Sequence, residues 1–401
     1  MDNATFILRN VSVVKQDEIL ENCSVVCSGG KIERVVPGGG ISAPQKGSNV
    51  VDGKGMFLAP GFIDLHIHGS YDKLVDRGKG DLEQLCQILP RYGVTGFLPT
   101  ITPFAEEAED IALLNKLARI DMRGSTVLGF FLEGHFLALT GAISHIPKNR
   151  SVERIKGLQE AMKPYKAVFG ISPELEGIAN LIPHMVDGGY TPFITHTMAD
   201  VEQTKAAIQA GARHATHFYD VFPYPGEKDG GVRTCGAVEA ILANRLVSVD
   251  FILDGEHVHP VAVEMALACK GSSKVCLITD ANINAGLPPG KYMGIGDREI
   301  SVAYEGAPAR MVNSYHPGSK PGGLAGSGLT MDRAVRNAIT LLGVSLPQAV
   351  AMASSNPARV LGLHESKGSI EDGYDADMVL LDLDLHVHSC WVKGEKVFTR
   401  S

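Results

Sequence analysis

Two histidines stand at the end of an apolar run in this chain of 401 residues, His66 and His68, with only Ile67 between them. Successive side chains of a β-strand point to opposite faces, so the two imidazoles of such a strand lie on the same face. Two imidazoles on one face can bind one divalent cation. The pair therefore predicts a metal site where a strand ends.

Four further side chains of metal-binding type follow apolar runs far downstream: Glu133, His196, His217 and Asp280. A lone histidine is more often a hydrogen-bonded structural residue than a ligand, but the repeated position at the end of a run favours metal binding for the whole set. A carboxylate has two oxygens and can bridge two cations. We predict one ion held by His66, His68, Glu133 and Asp280, and a second held by Glu133, His196 and His217.

Such a centre can hydrolyse an amide. A bound divalent ion lowers the pKa of water from about 16 to about 7, which supplies hydroxide at neutral pH. Asp280 is the predicted general base and acid, because it can take the proton of the attacking water and return it to the leaving nitrogen. Imidazole and carboxylate suit zinc, iron and other first-row ions alike, so the sequence predicts two ions without identifying the metal.

Alternating apolar and amphipathic stretches indicate how these residues meet. Eight apolar runs are present: Phe62–Ile67, Gly96–Thr100, Val127–Leu132, Ala167–Ile171, Pro192–Thr195, Ala215–Thr216, Leu246–Phe251 and Val275–Thr279. Helical stretches separate most of them: Asp81–Tyr92, Ala105–Arg119, Val152–Met162, Asp200–Gly211, Gly236–Ala243 and Pro260–Cys269. This alternation is typical of an α/β fold with a (β/α)8 barrel, in which loops from several strands converge at the carboxyl face.

The two ends of the chain differ from the centre. Residues 1–60 contain short strands, including a hairpin across Gly29 and Gly30, and residues 361–401 return to the same strand and turn pattern. We expect both ends to form one small β-sandwich domain. Residues 61–360 then form the catalytic barrel, with closing helices over Met331–Leu342 and Leu346–Ser354.

Composition excludes several classes of protein. The net charge is −8 and no basic block occurs, which argues against nucleic acid or an anionic membrane as a partner. No apolar run approaches the roughly 18 residues of a membrane span, and the N-terminus lacks a signal sequence. Seven scattered cysteines without paired spacing indicate reduced, buried thiols in a cytoplasmic protein.

Several segments resemble the amidohydrolase superfamily and, within it, the N-acetylglucosamine-6-phosphate deacetylase family. They span almost the whole chain in the order of that family: APGFIDLHIHG, FLEG, GAISH, ISPE, ITHT, ATHFYD, LITDA, PGGLAGSGLTMDRAVRN, SNPARVLGL and KGSIEDGYDADMVLLD. The resemblance implies a metal-dependent enzyme that removes acetate from an amino sugar, usually as a homodimer. It also implies that Glu133 bridges the metals, and that His145, Asp220, Lys228 and His257 contact the substrate.

The departures from the family concern the substrate phosphate. Asp220 replaces the usual asparagine, and a carboxylate repels a phosphate dianion. Lys228 aligns with an arginine that crosses to the partner subunit, and lysine lacks the two-pronged donor. The element after Glu133 is also altered, with His135 in place of proline. Deacetylation of a phosphosugar is thus one hypothesis, a different and unphosphorylated N-acyl or cyclic amide is the alternative, and a catalytically silent binding protein is a third.

Overall fold

The computed structural model describes residues 5–39, 49–227, 229–315 and 319–400. Its central feature is a parallel barrel whose eight strands we label β1 to β8. They are β1 (Phe62–Ile67), β2 (Val94–Ile101), β3 (Phe130–Phe136), β4 (Ala167–Ile171), β5 (Phe193–Ile194), β6 (His214–Ala215), β7 (Ser248–Ile252) and β8 (Val275–Ile278). Each strand pairs in parallel with the next, and a short strand, Thr126–Val127, adds to β2. The predicted barrel is confirmed.

The barrel is closed between its first and last strands by the residues that carry the predicted site. The backbone N–H of Asp280 donates to the carbonyl of His66 at 2.8 Å, and the N–H of His68 donates to the carbonyl of Ala281 at 3.0 Å. Backbone hydrogen bonds therefore fix the ends of β1 and β8 against each other. All six residues of β1 are buried, as expected for a parallel strand covered on both faces.

Ten α-helices occur in the described chain. Seven follow the strands: α1 (Lys79–Ile88), α2 (Glu107–Leu117), α3 (Val152–Ala161), α4 (Ile178–Asp187), α5 (Val201–Ala210), α6 (Ala237–Ala243) and α7 (Pro260–Lys270). Three close the barrel: α8 (Met331–Leu342), α9 (Leu346–Ala353) and α10 (Ser355–Val360). None of the ten is long and apolar enough to span a membrane.

Helix α4 was missed in the sequence. Pro183 lies inside it, and a proline inside a helix removes a hydrogen bond and usually argues against the helix. The apolar positions Ile178, Ile182 and Met185 nevertheless have helical spacing, and all three are buried. Packing of this face against the barrel outweighs the local cost of the proline.

A separate sheet joins the two ends of the chain, as predicted. Its eight strands are Phe6–Val14, Ile19–Ser28, Lys31–Val36, Asn49–Asp52, Phe57–Pro60, Met378–Leu381, Val387–Val392 and Glu395–Thr399. Gly29 and Gly30, with φ of 59° and 78°, make the predicted hairpin turn. Phe57–Pro60 pairs with Met378–Leu381, so the two ends share one sheet. The exact domain boundaries at residues 60 and 361 stay a prediction.

A third, smaller sheet between β8 and α8 was not predicted. It contains Gly290–Gly294, Arg298–Val302 and Arg310–Met311 and is antiparallel. A small apolar cluster of its own packs against it: Leu74, Ile283, Ile300, Ala309, Met311 and Ala325. We call residues 290–311 the inserted sheet.

The prediction that the cysteines are buried was wrong at two positions. Cys235 and Cys269 are exposed, whereas the other five are buried, and all seven are free thiols. Both exposed residues lie at ends of helical segments, where an isolated apolar residue gives no signal of its orientation.

Candidate metal centre

Six side chains from different strands meet at the carboxyl face of the barrel. The Nε2 atoms of His66 and His68 lie 3.2 Å apart, and each is 3.3 Å from Oδ1 of Asp280. His66 lies within β1, His68 comes directly after it on the same face, as the spacing predicts, and Asp280 follows β8. Because β1 and β8 are neighbours in the closed barrel, these three groups lie close together. We call the six side chains at this face the floor of the site: His66, His68, Glu133, His196, His217 and Asp280.

Glu133 connects these three side chains to a second group. Its Oε2 lies 3.4 Å from Nε2 of His66 and 3.1 Å from Nε2 of His68. Its Oε1 lies 3.3 Å from Nε2 of His196 and 3.1 Å from Nε2 of His217. The two oxygens of one carboxylate therefore face two separate pairs of imidazoles, which is the arrangement that a bridging ligand requires.

Hydrogen bonds at the other ring nitrogen orient three of the histidines. Nδ1 of His66 is 3.2 Å from the hydroxyl of Thr216, and Nδ1 of His196 is 3.0 Å from the carbonyl of Leu139. Nδ1 of His217 lies 3.3 Å from the backbone carbonyl of Asp220, three residues later in the chain. Partners of this kind leave Nε2 available for a metal, because they fix the tautomer and the angle of the ring.

A buried carboxylate below the floor, Asp250 of β7, was missed in the sequence. Its Oδ1 accepts hydrogen bonds from the Thr216 hydroxyl at 3.0 Å and from the backbone N–H of His217 at 2.6 Å. Its Oδ2 lies 2.7 Å from Nε2 of His214. Asp250 thus supports both His66, through Thr216, and His217. The available signal was an acidic residue inside the otherwise apolar run of β7.

The backbone at the ends of the strands is strained. His196, His217 and Asp280 have φ of 47°, 32° and 45°. Residues other than glycine rarely adopt the left-handed region, and in folded proteins such residues cluster at functional sites. Here the strain turns each side chain inward as its strand ends.

Electrostatic contacts with neighbouring imidazoles hold the Glu133 carboxylate in the ionised form. Burial opposes ionisation of Glu133, but the neighbouring His66, His196 and His217 hold its pKa well below the usual value. Burial likewise opposes the imidazolium form of His68, but hydrogen bonds to Asp280 and Glu133 raise its pKa to about 10. The same balance raises the pKa of His217 to about 9. The floor is therefore a cluster in which carboxylates require compensating positive charge.

A pocket of about 380 Å³ opens above this floor. Its walls are largely apolar, and the apolar side chains that line it are Ala142, Ile143, Val221, Ile252, Ile295, Met311, Leu324 and Ala325. Ile295 and Met311 belong to the inserted sheet, so an element absent from the sequence prediction forms one wall. The size is suitable for a small-molecule substrate.

The predicted substrate residues have different outcomes in the structure. Asp220 and His257 line the pocket, whereas Lys228 lies outside the described residues. His145 is half-buried and does not line the pocket; Ile143, two residues earlier, occupies the wall. The contact between His145 and the substrate stays a prediction.

The polar groups of the pocket wall are only partly paired. Burial raises the pKa of Asp220 to about 7, and its Oδ2 has no hydrogen-bond partner within the described chain. Nδ1 of His257 lies 2.7 Å from Oδ2 of Asp254; although burial opposes it, this contact raises the pKa of His257. Nε2 of His257 is left for the pocket.

The glycine-rich segment before α8 lines the pocket. Leu324, Ala325 and Gly326 contribute to the pocket, and the N–H of Ser327 donates to the carbonyl of Asp280 at 2.8 Å. Gly326 has φ of 75°, and a Cβ there would lie 2.9 Å from that carbonyl. Glycine is required because the backbone passes so close to Asp280.

The donor set fits divalent metal ions. Two groups of three donors have ligand atoms within 4.8 Å of one another: His66 with Glu133 and His217, and His66 with His68 and Asp280. Imidazole nitrogens and carboxylate oxygens together are the ligands of zinc and of other first-row metals. All these side chains are buried or nearly so, which excludes the alternative of a solvated surface cluster.

The sequence of residues 57–399 matches the model of the amidohydrolase family. Among curated proteins, the chain is 33% identical over 345 residues to the N-acetylgalactosamine-6-phosphate deacetylase of Escherichia coli O157:H7, covering 84% of this chain and 87% of that protein. It is 30% identical over 407 residues to the N-acetylglucosamine-6-phosphate deacetylase of Bacillus subtilis (strain 168), covering 98% and 97%.

Solved structures show the same similarity along the whole chain. One is N-acetyl-D-glucosamine-6-phosphate deacetylase from Mycobacterium smegmatis in complex with N-acetyl-D-glucosamine-6-phosphate, with a TM-score of 0.84 and 26% identity over 99% of this chain and 100% of that one. The N-acetylglucosamine-6-phosphate deacetylase of Pasteurella multocida has a TM-score of 0.85 at 24% identity, over 99% and 100%, and supports the fold.

Proposed function

The chain belongs to the amidohydrolase family, and on that premise we propose that it removes the acetyl group from N-acetylglucosamine 6-phosphate or from a closely related N-acetylated amino sugar phosphate. The observation that carries the proposal is the floor of the pocket, where the two oxygens of Glu133 face two pairs of imidazoles and Asp280 lies 3.3 Å from one pair. The names of the relatives in both comparisons support the substrate class.

The proposed metal ligands divide into two sets that share Glu133. The first set is His66, His68, Glu133 through Oε2, and Asp280; the second is Glu133 through Oε1, His196 and His217. A bound divalent ion lowers the pKa of water and polarises the carbonyl of the substrate. Two ions per chain, of zinc or iron, are the proposed complement, and elemental analysis of the purified protein tests both number and identity.

Asp280 is the proposed catalytic acid and base. Its carboxylate takes a proton as a water oxygen forms a bond to the acetyl carbon, and it returns that proton to the nitrogen as the carbon–nitrogen bond breaks. The products are acetate and the free amine. Buried contacts with His66 and His68 lower the pKa of Asp280 although burial opposes this, so the group begins the reaction ionised.

The pocket walls would hold the sugar. Asp220 and His257 are the proposed polar contacts, and the apolar wall formed by Ile143 and Met311 excludes water from the reacting amide. Lys228 remains a proposed contact on sequence grounds alone. The resemblance in sequence also supports a homodimer, which light scattering of the purified protein tests by a mass twice that of the chain.

Steady-state release of acetate from N-acetylglucosamine 6-phosphate, with zinc, iron or manganese supplied, tests the function. We expect turnover that a chelator removes and that metal restores. Turnover at the background rate with every metal would reject the proposal.

One observation favours a second candidate, an amide substrate without a phosphate. The buried Oδ2 of Asp220 has no partner in the described chain, and a carboxylate that faces the pocket accepts a sugar hydroxyl more readily than it tolerates a phosphate. Rates measured in parallel on phosphorylated and unphosphorylated N-acetylated sugars separate the two candidates. Equal or higher efficiency without the phosphate would favour the second.

A further inference from the structure

We propose that Lys320 binds the phosphate of the substrate from within the same chain; this inference rests on the proposed function and specifies how that site meets a charged ligand. Of the described residues that line the pocket, Lys320 is the one lysine or arginine. A phosphate monoester carries about −1.5 to −2 charges at neutral pH. Glu133 and Asp280 are proposed metal ligands, whose charge the ions would offset, but the carboxyl group of Asp220 in the pocket wall would repel the phosphate, and a nearby cation offsets that repulsion.

Backbone hydrogen bonds fix the place where Lys320 enters the pocket. Residues 319–323 lie beside Met311, the last residue of the inserted sheet. The N–H of Met311 donates to the carbonyl of Gly323 at 2.8 Å, and the N–H of Gly322 donates to the carbonyl of Met311 at 2.8 Å. The N–H of Gly323 also donates to the carbonyl of Lys320 at 3.0 Å. Lys320 therefore lies next to the backbone hydrogen bonds that join Met311 to Gly322 and Gly323, four residues before the pocket residue Leu324.

Tyr315 anchors Ser319 to the inserted sheet. The N–H of Glu299 donates to the hydroxyl of Tyr315 at 2.8 Å, and the guanidinium of Arg298 lies 5.7 Å from the centre of the Tyr315 ring. The N–H of Tyr315 donates to the hydroxyl of Ser319 at 2.7 Å, and Ser319 is buried. Ser319, the residue before Lys320, is thus held in place. The backbone beside Lys320 is therefore already ordered before a ligand binds, and binding does not require a further loss of backbone entropy there.

The charge of Lys320 stabilises no ion pair within the part of the chain that the structure describes. Its side chain is exposed and forms no ion pair with any residue that the structure describes. Two other lysines show the contrast: Lys291 pairs with Glu299 at 3.3 Å, and Lys367 contacts two aspartates at 2.6 Å and 2.8 Å. An unpaired ammonium at the mouth of a pocket both attracts an anion and donates to it.

His257, which the resemblance already implies as a substrate contact, lines the same pocket as Lys320. Its Nδ1 lies 2.7 Å from Oδ2 of Asp254, which leaves Nε2 as the ring nitrogen that can donate to a ligand. Lys320 and His257 approach from different parts of the fold, the segment after the inserted sheet and the loop after β7. Together they allow a phosphate to bind even though Asp220 is a carboxylate. The competing explanation is a solvated lysine at the rim with no contact to any ligand.

Binding measurements on the metal-loaded full chain test this inference independently of turnover. The probes are glucosamine 6-phosphate and glucosamine, the two amine products, measured by calorimetry with wild type, Lys320→Gln, Lys320→Arg and the control Lys291→Gln. Wild type should bind the phosphorylated amine at least about tenfold more tightly than glucosamine, as expected for a charge-assisted contact. Lys320→Gln should lose most of that ratio, Lys320→Arg should keep it, and Lys291→Gln should leave it unchanged.

Two results would overturn the role of Lys320: a ratio in Lys320→Gln equal to that of wild type, or the absence of any preference for phosphate in wild type. Folding of each variant is checked by its thermal midpoint. Failure of the proposed function has a different signature, since it would be absence of acetate release from the acetylated phosphosugar. A protein that prefers the phosphorylated amine but releases no acetate keeps the Lys320 site and loses the deacetylase.

Discussion

The floor of the pocket and its walls are built in opposite ways. Each imidazole of the floor contacts a carboxylate, and the floor lies at the ends of barrel strands. The walls are largely apolar and lie mostly on loops and on the inserted sheet; within the described chain, Oδ2 of Asp220 has no hydrogen-bond partner and Lys320 forms no ion pair. A rigid floor fixes the reaction, whereas walls on loops can change with the substrate. Substitutions in the floor should therefore lower the rate on every substrate. Substitutions in the walls should change only the order in which the enzyme prefers its substrates.

The largest effect is expected at the floor, for Asp280→Asn. The amide cannot take a proton from water, so kcat should fall by about a thousandfold, within the range for loss of general acid and base catalysis. Acetate release measures the rate. A thermal midpoint near that of wild type shows that the fold is kept. A rate within tenfold of wild type would remove Asp280 from its role.

The next largest effect is expected for Gly141→Ala, at the border of floor and wall. A Cβ at Gly141 would lie 2.6 Å from Cε1 of His196, so the imidazole must move. Displacement of a positioned group by about 1 Å can cost roughly a hundredfold in rate. Gly177→Ala is the control, because Gly177 has similar positive φ but no atom within 4 Å of the added Cβ.

For both glycine variants, kcat and bound metal are measured together. Gly141→Ala should lose rate and metal, while Gly177→Ala should lose only a little stability from backbone strain. Equal losses in the two variants would show that strain, and not contact with His196, is responsible.

A smaller effect is expected for Asp250→Asn, below the floor. The amide oxygen can still accept from Thr216 and His217, but it lacks the negative charge that strengthens these bonds, and the amide NH2 cannot accept from His214 as Oδ2 does. Weakening of such support typically costs about 10- to 100-fold in metal affinity. Competition with a chelator measures that affinity. Asp377→Asn, which removes a buried carboxylate next to Lys367 in the small domain, is the control and should leave metal affinity unchanged.

The smallest effect is expected in the wall, for Asp220→Asn. Removal of a negative charge near the phosphate should raise the ratio of kcat/KM for the phosphorylated over the unphosphorylated sugar about fivefold, which corresponds to about 1 kcal/mol. The exposed substitution Asp187→Asn should not alter the ratio. An equal drop in rate on both sugars would show that Asp220 acts in the reaction itself, as the floor residues do, and not in the choice of substrate.

The sequence predicted the floor better than the walls for a physical reason. Buried parallel strands are continuous apolar runs, so β1 and β4 were placed to the residue, and the polar residues that end the runs had to meet at one face. Asp250 was missed because it lies inside a run, where polarity carries no information on its partners. Only the three-dimensional contacts show that it supports His217.

The walls depend on packing between loops, which local patterns do not encode. Ile143 lines the pocket from a segment without regular structure, where no periodic pattern predicts the direction of a side chain. The inserted sheet consists of short strands with only a few alternating residues, below the length at which periodicity is informative. Helix α4 shows the same limit, because tertiary packing overrode the proline at position 183.

The inserted sheet packs around an apolar cluster distinct from that of the barrel, although Ile295 and Met311 also line the pocket. The inserted sheet can therefore be exchanged as a unit. A replacement of this sheet that keeps the buried residues Ile300 and Ala309 can change the shape of the pocket without changes to the hydrolytic centre. Evolution or a protein engineer can therefore retarget this hydrolase by exchanging some twenty residues, leaving the metal-binding residues untouched.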